Sequence, residues 1–81
     1  MSEFPKYYKS IDGKIHYKIL SHKLMEELQQ VGNRFFYYKI EAKQYPEMLL
    51  IKDVLDSKRE DIVEIKDANA AEALFLQHHD S

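Results

Sequence analysis

Apolar and polar residues alternate most cleanly in the first quarter of the chain, where Tyr8, Ile15, Tyr17 and Ile19 fall on one side and Tyr7, Lys9, Lys14, His16 and Lys18 on the other. Alternation with a period of two is the signature of a strand with one face toward a core. Between the two runs stands Asp12-Gly13, a strong signal for a two-residue hairpin turn. The turn sets a register in which Tyr8 opposes Tyr17 and Lys9 opposes His16. One hairpin face is then apolar and the other wet and basic.

The period then changes. Leu24, Met25, Leu28 and Val31 recur at helical spacing after Ser21, a good N-cap, and before Gly32-Asn33, residues that suit a left-handed helix end. This predicts a helix over residues 22–31. The run Arg34-Phe35-Phe36-Tyr37-Tyr38-Lys39-Ile40-Glu41-Ala42 follows and reads as a strand, aromatic on both faces. Strand, helix and strand make a right-handed crossover, which places residues 34–42 parallel to residues 14–20.

Pro46 and Glu47 suit a first helical turn, and Met48, Leu50, Ile51, Val54 and Leu55 gather on one side of a wheel with Leu49 as the misfit. Residues 48–54 also admit a strand. Residues 56–61 form a charged loop, and residues 62–66 alternate as a short strand with Val63 and Ile65 on one face. Asn69 with Glu72 resembles a capping box ahead of a helix over residues 70–77 that is apolar around most of its girth. The expected fold is a small single α+β domain over residues 1–81 with a four-stranded mixed sheet in the order ββαβαβα, or ββαβββα with residues 48–54 as a strand. Residues 1–5 and 78–81 are read as loose tails.

Composition narrows the picture. Eighty-one residues suffice for one domain, and the absence of cysteine removes disulfides, thiolate metal sites and thiol nucleophiles. The longest apolar run, residues 48–51, is far short of a membrane span, so no membrane partner is expected and the reading is cytoplasmic. Net charge is −2, divided as eight Lys/Arg against five Asp/Glu in residues 1–45 and four against nine in residues 46–81. A strongly basic nucleic-acid binder looks different.

Chemistry finds little purchase. No serine stands in a nucleophile motif, and the two glycines, Gly13 and Gly32, both read as turn or cap residues. His78-His79 point about 100° apart on a helix and make a poor metal site. The acidic residues scatter over separate elements. No catalytic residue, metal ligand or cofactor is assigned, and the chain is expected not to be an enzyme.

Binding is the better expectation. If both helices covered one sheet face, the other would carry Tyr7, Lys9, His16, Lys18, Phe35, Tyr37 and Lys39, and these are the candidate binding residues. Phe36, Tyr38 and Ile40 would be core. Three occupants of the aromatic second face are expected in this order: the C-terminal helix folded back on it, then another protein or a second copy of the chain, then single-stranded nucleic acid stacked on its rings. The leading expectation is a small regulator, inhibitor or adaptor that binds protein; the alternative is a single-strand nucleic-acid binder.

Overall fold

The computed structural model describes residues 4–56 and 58–78. Among these, the element order is β1 (Lys6–Ser10), β2 (Ile15–Ser21), β3 (Leu24–Val31), β4 (Arg34–Glu41), α1 (Tyr45–Leu55), β5 (Ile62–Ile65) and α2 (Ala68–His78). The strands form one sheet in the order β4-β3-β2-β1-β5 with every pairing antiparallel. The fold is therefore a small α+β domain, but the sheet has five strands rather than four, is antiparallel rather than mixed, and follows ββββαβα. No helix of the described residues is long and apolar enough to cross a membrane.

The first hairpin keeps the expected register, with Tyr8 opposite Tyr17 and Lys9 opposite His16. Its turn differs in detail. The Gly13 amide donates to the Ser10 carbonyl over 2.9 Å, so the tight turn spans Ser10 to Gly13 and only then does Gly13, at φ +75°, reverse the chain. Asp12 accepts from the Ser10 hydroxyl at 2.6 Å and from the Lys14 amide at 3.0 Å, which holds its exposed carboxyl below the usual range.

Residues 24–31 form a strand, not a helix, and among the described residues no strand pairs parallel to another. Ser21 does not cap a helix; its hydroxyl accepts the Lys23 amide at 3.1 Å inside a two-residue turn that pairs Ser21 with Leu24. Gly32-Asn33 is likewise a two-residue hairpin turn, joining Val31 to Arg34. The helical spacing has a physical origin. This sheet is covered on both faces, so β3 buries Met25 to one side and Leu28 to the other. A strand covered twice need not alternate, and its pattern then imitates a helix. Gly32 sits at φ +63° with open space where a Cβ would stand. Gly32→Ala is thus expected to cost about 1 kcal/mol in a urea melt, through left-handed strain alone.

The helix over residues 45–55 is present, with Glu47 accepting the amides of Lys43 and Gln44 at 3.0 and 3.1 Å. Ile51 and Val54 are buried against Tyr8, Ile19 and Met25, and Leu49 is exposed. We call this side face A. Strand β5 adds to the β1 edge, with Ile62 on face A and Ile65 on the opposite face B. Helix α2 lies on face B, where Ala71 and Phe75 pack on Tyr7 and Leu28. Asn69 does not cap it; the Asp67 carboxylate accepts the Ala70 amide at 3.1 Å, which leaves Glu72 for other work. The ends described are anchored: Phe4 meets the His22 ring edge-on at 5.2 Å, and His78 stacks on Phe35. Residues 1–3 and 79–81 of the expected tails, including His79, lie outside the described residues.

Candidate functional site

All seven candidate binding residues do share face B, because odd positions of β1 and β4 and even positions of β2 project to one side in the observed registers. That face is not open. Tyr7 is 4% exposed, and its hydroxyl donates to the Glu72 carboxylate. The Lys18 ammonium stands 2.7 Å from Glu72 Oε1 and 5.9 Å from the Tyr7 ring centre, with its side chain 14% exposed. Phe35 lies under His78 with ring centres 3.9 Å apart. Tyr37 bonds to Glu26, and burial together with that carboxylate pushes its hydroxyl up to about 12. Only Lys9 and Lys39 of the seven are exposed.

Two buried polar atoms under α2 have no hydrogen-bond partner, His16 Nδ1 and Glu26 Oε1. His16 borders a narrow recess with Lys9, Ile65 and Leu74. Burial, and then the Lys9 charge, lower the pKa of His16 and favour its neutral form. Face B is thus a partly polar core, made of aromatic rings with a buried carboxylate and ion pair among them.

The open surface lies elsewhere. Helix α1 covers the end of face A that carries Ile19, Met25, Ile40 and Ala42. At the other end Phe36 is 41% and Tyr38 46% exposed, beside exposed Val31 and half-buried Ile15 and Tyr17. The expectation that Phe36 and Tyr38 are core is therefore overturned, while Ile40 does pack against the core cluster. The reason is topological. The expected crossover helix over residues 22–31 is strand β3, so face A has α1 alone, and α1 packs over Ile19, Met25 and Ile40 and leaves Phe36 and Tyr38 uncovered. The signal that reveals this is Gly32-Asn33: read as a hairpin turn, it makes β4 the last arm of a meander and so a sheet edge.

Among the described residues, strand β4 has β3 on one side and no strand on the other. The Ala42 amide donates inward to Lys23 at 2.7 Å, and backbone groups alternate along an antiparallel strand. The amides of Phe36, Tyr38 and Ile40 therefore also point to β3. Those of Phe35, Tyr37, Lys39 and Glu41 point outward. Outward-pointing backbone groups at a sheet edge can template another strand.

Glu27 sits in the middle of this open patch, opposite both Tyr17 and Tyr38. Burial alone raises its carboxyl above the usual range. The folded chain then holds a proton that the unfolded chain releases, so stability falls as pH rises from about 4.3 through the raised value. Glu27→Gln is expected to flatten that slope and to stabilise the fold near neutral pH by on the order of 0.5 kcal/mol, as thermal melts across the acid range would report.

Among the described residues no three His, Cys, Asp or Glu side chains gather as a metal site. An apolar cleft of about 320 Å³ lies between α1 and the β2–β3 turn, lined by Met48 and Leu55 and rimmed by His22, Lys23, Lys52 and Asp56. Comparison with protein-family models, curated proteins and solved structures returns no match.

Proposed function

We propose that the protein is a small interaction module, without catalysis of its own, that binds protein through β4. The observation that carries this reading is an eight-residue edge strand with outward backbone groups, flanked on its uncovered face by Phe36 and Tyr38. Main-chain hydrogen bonds along an exposed edge supply affinity, and side-chain pockets beside it supply selectivity. Aromatic residues on such a patch are the type enriched in interface cores.

The binding residues are accordingly moved from the α2-covered rings of face B to Phe36, Tyr38 and the backbone of Phe35 and Lys39. Nucleic acid stacked on Tyr7, Phe35 and Tyr37 requires α2 to lift, because those rings already contact Phe75, His78 and Glu26. A cytoplasmic setting belongs to the same proposal, as the one in which a cysteine-free regulator of this size would work.

Photo-crosslinking tests the reading. A benzoylphenylalanine placed at Phe36 is expected to give a discrete protein adduct in a lysate of the source cells. The same probe at the exposed Leu76 on α2 gives none. Lys39→Pro removes an outward amide without touching the core and abolishes the adduct. Equal labelling from both positions, or an adduct indifferent to Lys39→Pro, contradicts it.

A further inference from the structure

We infer that the open end of face A binds a basic segment of the partner, one arginine of which lies over Tyr38 and pairs with Glu27. This inference rests on the reading of β4 as the interaction edge and adds the chemistry that the surface selects.

The registers place Tyr17, Glu27 and Tyr38 side by side in one row across β2, β3 and β4. Odd positions of β2 and β3 and even positions of β4 share face A, so all three side chains leave the sheet on the same side. The rows on either side of them are Ile19, Met25 and Ile40 toward α1, and Ile15, Gln29 and Phe36 toward the open end. A half-buried carboxylate thus stands among neighbours that include no cation. Among the described residues it makes no ion pair and no hydrogen bond. Arg59 lies on the Tyr17 side, but its guanidinium is taken by Asp61 at 3.3 Å. Desolvation without compensation is what raises the Glu27 carboxyl. Glutamine would fill the position with no charge to desolvate, so folding does not account for the carboxylate.

The complement of this site is cationic, flat and mounted on an apolar stem. Aromatic faces on both sides of the carboxylate attract a cation. A guanidinium stacks on a ring and presents a fork of donors to a carboxylate, which an ammonium does not. Its methylene stem suits the apolar rows beside it. The reach also fits. A strand added at β4 lies two strand spacings from Glu27, about 10 Å. An arginine and a glutamate bridge that distance from opposite ends, with the ring of Tyr38 beneath the arginine and Tyr17 closing the far side.

The probe is an acetylated, amidated tripeptide with one arginine between two glycines, too short to pair along β4. Titrated at neutral pH into the full isotope-labelled chain, it is expected to shift the signals of Tyr17, Glu27 and Tyr38 with a millimolar dissociation constant. The same peptide with citrulline, which keeps the shape and loses the charge, is expected to bind at least about tenfold more weakly. Glu27→Gln, expected above to stabilise the fold, should weaken arginine binding by about tenfold or more, and Tyr38→Ala by about threefold or more. Equal binding of the arginine and citrulline peptides, or arginine binding indifferent to Glu27→Gln, overturns the inference. So do shifts confined to Glu26 and Glu72 under α2, or no shift with either peptide. In each of those cases a Phe36 adduct still lost with Lys39→Pro leaves the β4 reading standing. Arginine binding that passes these controls, with no Phe36 adduct, removes the β4 edge and keeps the cation site.

Discussion

Phe75→Ala is expected to cost about 3–5 kcal/mol, a large part of the stability available to a domain of this size. Phe75 is 1% exposed and is the ring by which α2 holds to Tyr7 and Leu28. Truncating it leaves a cavity between the helix and the sheet, where only Ala71 and half-buried Leu74 remain to close the gap. The consequence is local before it is global. With α2 loosened, Tyr7, Phe35 and Tyr37 gain solvent, so a hydrophobic dye should bind the variant below its unfolding midpoint. Urea melts give the magnitude, and Leu76→Ala, on the exposed side of the same helix, provides the comparison at within about 0.5 kcal/mol of wild type. Equal costs for the two substitutions would mean that α2 does not close face B.

The second large effect lies under the same helix. Glu72 accepts the Tyr7 hydroxyl and pairs with the Lys18 ammonium. Glu72→Ala is expected to destabilise by about 1–3 kcal/mol, because both groups lose this carboxylate in a largely dry place. Replacing Lys18 by Met together with Glu72 by Leu should recover most of that loss, since an apolar pair of similar volume avoids the desolvation the ion pair carries. If the double substitution is as damaging as the single one, the network does more than satisfy buried charge. The same contacts act at high pH. Burial, then the hydrogen bond and charge of Glu72, raise the Tyr7 hydroxyl far above the ordinary tyrosine range. The folded chain keeps a proton that the unfolded chain loses above about pH 10, so stability should fall there, and the Tyr37 hydroxyl adds to the fall up to about 12.

Much of the fold is legible from local chemistry. Asp12-Gly13 sets the first register, Pro46 and Glu47 mark α1, and the short alternation at residues 62–65 marks β5, because each signal acts within a few residues. Strand β3 is not legible in this way. Its Leu24, Met25, Leu28 and Val31 satisfy a helical stripe, its glutamates and glutamines favour helices, and its turns, Ser21 to Leu24 and Val31 to Arg34, use residues that serve helix ends equally well. Only the partnership with β2 and β4, and cover from both sides, decides for a strand. That single misreading propagates. It turns an antiparallel meander into a crossover, moves β4 from the edge to the interior, and inverts which aromatic face is core. The two-sided aromatic pattern of residues 34–42 is nonetheless visible in the residues themselves, and closure of Phe35 and Tyr37 by the last helix is one of the outcomes that pattern allows. What the pattern hides is the reach of α1, because the length of sheet a helix covers depends on where its loops allow it to dock.

The account turns on β4 as the working edge, and amide hydrogen exchange measures that edge directly. In the isolated chain, inward amides of Phe36, Tyr38 and Ile40 are expected to exchange slowly and outward amides of Phe35, Lys39 and Glu41 quickly. Adding the partner captured by the Phe36 photoprobe should slow the outward set, while α2 and β5 remain unchanged. Outward amides that stay fast with that partner bound, or protection gained on α2 instead, would contradict it.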